Sequence, residues 1–384
     1  SVRLDGRELP PLSAGVGQVV RIPVRIDHAG ANVVEIDVAA EPGELTDVNN
    51  RAVVSIEGVR EKLRVLLVSG EPHAGERTWR NLLKSDANVE LVHFTILRPP
   101  EKQDATPINE LSLIAFPTRE LFGEKIKEFD LIIFDRYANQ SILPRLYFQN
   151  IVRYVREGGA VMVAAGPEYA GSSSLNTTPL EAIIPARPDR GILEQAYRPR
   201  ISAIGRRHPV TRDLPGGKQE PPDWSEWLRL VSAQVQRDGN AVMEGPDGRP
   251  LMVLSRADKG RVGIILSDHA WLWARNYRNG GPHLEMLRRM AHWLMKEPQL
   301  EEEALRGFSK GRTITIERQT MAEAAKPVVV TTPGGATRTV QLAEVEPGRF
   351  TASVETDEIG LHRINDDTLT AFVGVGPDNP RELR

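Results

Sequence analysis

The chain has 384 residues, 40% of them hydrophobic and 26% charged, with a formal net charge of −3. That length exceeds one ordinary core and predicts two or three domains. The balance excludes a disordered chain and gives no global bias toward nucleic acid or anionic lipid. Cysteine is absent, which removes disulfides, thiolate metal sites and cysteine nucleophiles together.

Residues 1–58 read as a β-rich module. Gln18 to Asp27 and Asn32 to Ala40 alternate apolar and polar side chains, as half-buried strands do. A turn at Glu41-Pro42-Gly43-Glu44 and the run Asp47-Val48-Asn49-Asn50 precede a last strand, Arg51 to Ile56. Residues 62–297 change character. Leu63 to Ser69 is a continuous apolar run, the pattern of a strand buried on both faces. A helix is predicted from Glu76 to Leu83, then strands Val89 to Leu97 and Phe129 to Phe134. A helix over Pro144 to Arg156 runs through Gly158-Gly159 into a strand, Ala160 to Ala165. Leu251 to Ser255 and Arg261 to Ser267 read as strands about a turn at Asp258-Lys259-Gly260, and a helix over Pro282 to Lys296 closes the region.

Residues 298–310 read as a charged linker, with EEEALRG as a solvated helix end. Residues 311–376 return to β, with strands at Thr313 to Glu317, Val328 to Thr332, Arg338 to Ala343, Arg349 to Val354 and Leu369 to Val375. Whether the two β regions pack together stays open. No run approaches the ~20 apolar residues of a membrane span. The first residue is Ser1, and the expectation is a piece of a longer protein whose membrane attachment lies in segments outside this chain.

Three stretches resemble known families. EPGELTDVNNRAVVSI and PGRFTASVETDEIGLHRI resemble the closing strands of immunoglobulin-like modules of exported bacterial proteins. In residues 62–297, LRVLLVSGEPHAGERTWRNLL, FDLIIFDRY, YVREGGAVMVAAGPEYAG, HPVTRDLP and GRVGIILSDHAWLWARN together resemble the class I glutamine-amidotransferase-like superfamily. They are most like its uncharacterised, membrane-protein-associated branch. The resemblance implies an α/β fold: a mostly parallel, flavodoxin-like sheet with helices on both faces, flanked by β-sandwich-like modules. It also implies a nucleophilic cysteine on the turn after Ala160 to Ala165. Here that turn is Ala165-Gly166-Pro167-Glu168, so glutamine hydrolysis by the family mechanism is lost. Ser172 to Ser174 do not form the G-x-S-x-G of a serine elbow.

Ligands of parallel sheets sit at the carboxyl ends of the strands. That places Glu71, His73, Asp135, Arg136, Glu168, Asp268 and His269 in one candidate cleft. The same residue types also cap helices and bind loop backbone, and no metal or cofactor is expected. Trp271, Trp273 and Arg275 are a candidate stacking platform for a sugar or base, with Trp224 and Trp227 nearby, although packing of loops onto the sheet is the preferred reading. His292 and Trp293 read as core of the last helix. Gly70-Glu71-Pro72 lacks the Gly-Lys-Ser/Thr ending of a phosphate loop.

The functional expectation is a non-catalytic binding or scaffolding region of a bacterial envelope protein on the periplasmic side, with protein partners and no nucleic acid. The alternatives are a cysteine-independent hydrolase and a sensor of a sugar or amino-acid-like ligand.

Overall fold

The computed structural model describes residues 1–10, 13, 15, 17–26, 30–39, 42, 50–59, 62–70, 73–95, 117–140, 142–236 and 238–376. The chain divides into two compact units. Glu61–Leu300 forms one, and Ser1–Arg60 together with Glu301–Arg384 forms the other.

The discontinuous unit begins with β1 (Val2–Leu4), β2 (Arg7–Glu8), β3 (Gly30–Asp37) and β4 (Arg51–Gly58), in the order β2-β1-β3-β4. Gln18 to Asp27, expected as a strand, is not one over its described residues 18–26. Its alternation is genuine, but no neighbouring strand pairs with it, and Val19 is 94% exposed.

The continuous unit holds β5 (Leu63–Ser69), α1 (Glu76–Ser85), β6 (Val89–Thr95), β7 (Leu131–Asp135), α2 (Arg145–Arg156), β8 (Ala160–Ala164), β9 (Ala186–Leu193), β10 (Arg200–Ile201), β11 (Leu230–Val235), β12 (Asn240–Glu244), β13 (Pro250–Ala257), β14 (Gly260–Ile265), α3 (Trp271–Ala274) and α4 (His283–Leu294). Its eight-stranded sheet runs β10-β12-β13-β14-β8-β7-β5-β6. The pairs from β14 to β6 are parallel, and those from β10 to β14 are antiparallel. Apolar residues three and four apart dock the helices: Trp79, Leu82 and Leu83 from α1, and Phe148, Ile151 and Val155 from α2.

After Glu301 come β15 (Ala304–Lys310), β16 (Thr313–Gln319), β17 (Val328–Thr331), β18 (Thr337–Val340), β19 (Ala343–Glu346), β20 (Arg349–Glu355), β21 (Gly360–Asn365) and β22 (Thr370–Val375). They form two four-stranded sheets, β15-β16-β20-β19 and β18-β17-β21-β22, closed over Leu305, Ile314, Ile316, Val328, Val330, Val354, Ile364 and Val373. β3 and β4 pack on β21 and β22. A Cβ on Gly374 would sit 2.1 Å from Val53 Cγ1, and one on Gly6 would sit 3.0 Å from the Phe372 ring.

Two expectations are therefore corrected, and one question the sequence leaves open is answered. The α/β, mostly parallel flavodoxin-like or amidotransferase-like assignment fails, because the described residues are 38% strand and 21% helix, several of their sheets are separate and antiparallel, and the largest is mixed. The physical reason lies in residues 166–257. No long crossover helix forms there; short 3-10 turns and antiparallel strands do, and these extend the sheet by hairpins. The supposed linker 298–310 contains β15, fully paired with β16 from Ala304↔Gln319 to Lys310↔Thr313. The first and last β regions belong to one compact unit.

Candidate functional site

Parallel pairing brings four strand ends level. Ser69 pairs with Asp135, Asp135 with Ala164, and Ala164 with Ile265. The backbone continues the alignment one residue further. Gly70 N donates to Asp135 O, Arg136 N to Ala164 O and Ala165 N to Ile265 O. Arg136 adopts φ +46°, a left-handed conformation uncommon for a side-chain-bearing residue. Its carbonyl then lies 2.0 Å from where a Cβ on Gly70 would stand, and its Nε lies 2.6 Å from a Cβ on Gly166. Gly70 is needed for this approach because it meets backbone, whereas Gly166 meets the ends of the Arg136 and Glu168 side chains. The turn Ala165-Gly166-Pro167-Glu168 is here a passage for the Arg136 side chain, lined by buried Ala165 and Gly166.

The charges at this edge are largely spent on one another. Arg136 Nε lies 3.4 Å from Glu168 Oε2, and its Nη1 lies 3.6 Å from Asp268 Oδ2. Arg229 Nη1 reaches both Asp268 oxygens, at 3.4 and 3.2 Å, and Nη2 reaches Glu194 at 3.4 Å. The amide of Gly166 donates to Glu168 Oε1 at 2.7 Å. Burial raises the Glu168 pKa above the usual carboxylate range; backbone bonds and Arg136 oppose that without cancelling it. His269 accepts from Leu228 N at 3.2 Å through Nδ1. Burial lowers its pKa, Asp268 opposes this, and Arg229 and Arg136 add to it.

Beside the network lies a buried pair. His73 Nε2 is 2.8 Å from Asp135 Oδ2, while Gly75 N donates to His73 Nδ1 at 3.1 Å. The second bond leaves the proton on Nε2, facing Asp135. Asp135 is 1% exposed. Desolvation raises its pKa, and the His73 hydrogen bond offsets part of the rise. A cavity of about 20 Å3 adjoins the pair, walled by His73, Asp135, Ser267, Asp268, Trp271 and His283 among others. That is room for about one water molecule. His283 Nε2 is buried against it with no hydrogen-bond partner among the described residues, and burial pushes this imidazole down to about 4.

A third cluster combines residue types of a hydrolytic triad. Ser69 Oγ lies 3.0 Å from His93 Nε2, and Glu76 Oε1 lies 3.7 Å from the same nitrogen. Thr95 Oγ1, which donates to Glu76, also approaches Nε2 at 3.3 Å. A working triad places acid and nucleophile on opposite ring nitrogens. Here all three oxygens crowd one nitrogen, and Ser69 is fully buried.

Of the residues expected in the cleft, the structure groups Arg136, Glu168 and Asp268, with His269 alongside, and pairs His73 with Asp135. Glu71 lies outside the described residues. The proposed aromatic platform divides. Trp271 stays partly exposed with Arg275 stacked on it at 5.3 Å. Trp273 is 3% exposed, packed 5.3 Å from Trp224 and 4.8 Å from Trp227, and donates its Nε1 to Ser225 O. It is core, so a three-residue platform does not form. Ser174 caps the turn at Asn176. His292, expected as plain core, bonds Asp86 at 2.6 Å. Arg229, Glu194, His93 and His283 carried no sequence signal of a site: each sits in an unremarkable run, strand pairing brings Arg229 to Glu194 and His93 to Ser69, and His283 enters from the start of α4. Among the described residues, no group of three or more His, Asp or Glu side chains is arranged to hold a metal ion. No helix among them is long and apolar enough to cross a membrane.

No protein-family description matches the chain, and no curated protein matches it. Among solved structures, it is similar to two cytoplasmic proteins from Salmonella typhimurium. One is 15% identical with a TM-score of 0.45, covering 60% of this chain and 99% of that one. The other is 17% identical with a TM-score of 0.43, covering 60% and 99%. A β-galactosidase from Rahnella sp. R3 is 11% identical over 77% of this chain and 41% of its own, at a TM-score of 0.34. Likenesses this weak carry no inference about what the chain does.

Proposed function

We propose that the chain is a non-catalytic binding or scaffolding region that works through protein partners in the bacterial envelope. The observation that carries the non-catalytic reading is the mutual neutralisation of Arg136, Glu168, Asp268 and Arg229, with a space of about 20 Å3 adjoining the network at Asp268. A reacting substrate needs a site of several hundred Å3 with charges poised for it; here the charges hold each other and the space accepts a water. The absence of cysteine supports the same reading for amide hydrolysis. The envelope placement is supported by the sequence likeness of the two β stretches to exported modules. Cross-linked affinity capture of the full chain from native membranes tests the reading. A stoichiometric protein partner is expected. Recovery of the chain alone, or a cytosolic location by protease protection, overturns it.

One observation favours a second reading, cysteine-independent hydrolysis. Asp135 has a raised pKa beside a histidine, the setting of a general acid. Hydrolysis detected in a broad substrate panel and lost in Asp135→Asn would establish it.

A further inference from the structure

A larger hollow lies at the other end of the central sheet, where the Asp86–Asn88 turn leads into β6 and α4 finishes. It is a groove of about 420 Å3 between α1, this turn and α4, within the roughly 300–1,000 Å3 of small-molecule sites. Its walls are mostly aliphatic: Leu82, Leu83, Val89, Leu284, Ala291 and Met295. Leu284 is 60% exposed, an apolar wall of a kind that marks ligand grooves when it is part of a concave patch.

The polar groups of the groove differ in how fully they are used. Asp86 accepts from Asn88 N through Oδ1 at 3.0 Å and meets His292 Nε2 through Oδ2 at 2.6 Å. Glu285 is held by Arg289 at 2.7 Å. Arg288 has only a 3.8 Å approach to the already-occupied Asp86 oxygen, with its side chain 55% exposed. The groove therefore has committed carboxylates and one guanidinium with donors to spare beside an aliphatic wall. A guanidinium fork matches a carboxylate in bidentate geometry. A cation in the same place would face Arg288 and find both carboxylates taken.

We propose that this groove binds a small amphipathic anion, an aliphatic chain ending in a carboxylate, with Arg288 on the carboxylate and Leu284 and Met295 along the chain. The assignment is independent of whether the cleft at the strand carboxyl ends is inert, since the two share no residue.

The test is a ligand-observed NMR titration of the full chain with hexanoate, and with hexylammonium as the charge-reversed probe. Saturable hexanoate binding is expected, weakened about tenfold by Arg288→Gln and at least as much by Leu284→Glu, which sets an anion at the rim. Leu284 is exposed, so its variant folds even where another fails. Hexanoate that does not saturate, binding by either variant as tight as that of the native chain, or hexylammonium binding as well as hexanoate each overturns the proposal.

Discussion

At the scale of single residues, two positions show how much the candidate cleft depends on atoms rather than on residue types. Gly70 is fixed by the Arg136 carbonyl, a backbone atom that cannot swing aside. Gly70→Ala should cost about 2–3 kcal/mol through overpacking, measured as a fall in the denaturant midpoint with an unchanged slope. His283 gives a pH signature. Its folded pKa of about 4 lies below the 6.5 of the free side chain, so between those values the unfolded chain binds the extra proton. Its contribution is complete above pH 6.5 and is lost as the pH falls toward 4, by at most on the order of 3 kcal/mol. Buried Asp135 and Glu168, whose pKa values are raised, act in the opposite direction. The informative quantity is therefore the difference between the native chain and His283→Phe in unfolding free energy at pH 7 and pH 4.5. The difference should shrink or reverse at the lower pH. A gap independent of pH would show that His283 is not held neutral.

At the scale of elements, the edge of the sheet is a device for holding Arg136 among carboxylates from different strand ends. Arg136→Met leaves Glu168 and Asp268, with side chains 9% and 5% exposed, short of their shared cation. A loss of roughly 3 kcal/mol is expected. Adding Glu168→Gln should recover part of it, a coupling read from a double-mutant cycle; strictly additive losses would remove the network from the account. The sequence discloses half of this device. Leu63–Ser69 is legible because a strand buried on both faces is apolar along most of its length, and six of its seven residues are buried. Asp135, Arg136, Glu168 and Asp268 are legible because they follow such strands. Arg229 is not: its link to Asp268 spans 39 residues and is set by β11, which carries no strong period. β9 hides for a related reason, since Pro188, Asp189 and Gly191 read as turn residues. β15 hides because it buries only Leu305, so its pairing with β16 rather than its composition makes it a strand.

At the scale of the whole molecule, the two β regions share one compact unit although 240 residues stand between them, Glu61–Leu300. The continuous unit has its own core, from Leu63 to Met295, and should survive excision. A fragment of residues 61–300 is expected to give a cooperative unfolding transition and resist limited proteolysis. A fragment of residues 301–384 is expected to be cleaved faster than the same segment in the full chain, because it lacks β3 and β4 against β21 and β22. Equal protection of the isolated segment would contradict the shared unit.

The interleaving of one unit within the other also sets a clock. At ribosomal speeds of about 5–20 residues per second, the 240 intervening residues take about 12–50 s to synthesise. For that interval the hairpin of β3 and β4 is complete, yet the strands that cover it do not exist. Val54, a β4 residue still 48% exposed in the finished fold, and Val53, destined for Gly374, wait uncovered throughout. A nascent chain stalled after Leu300 would thus present a sticky, uncovered ribbon to holding chaperones. Release of the last 84 residues would end that binding abruptly.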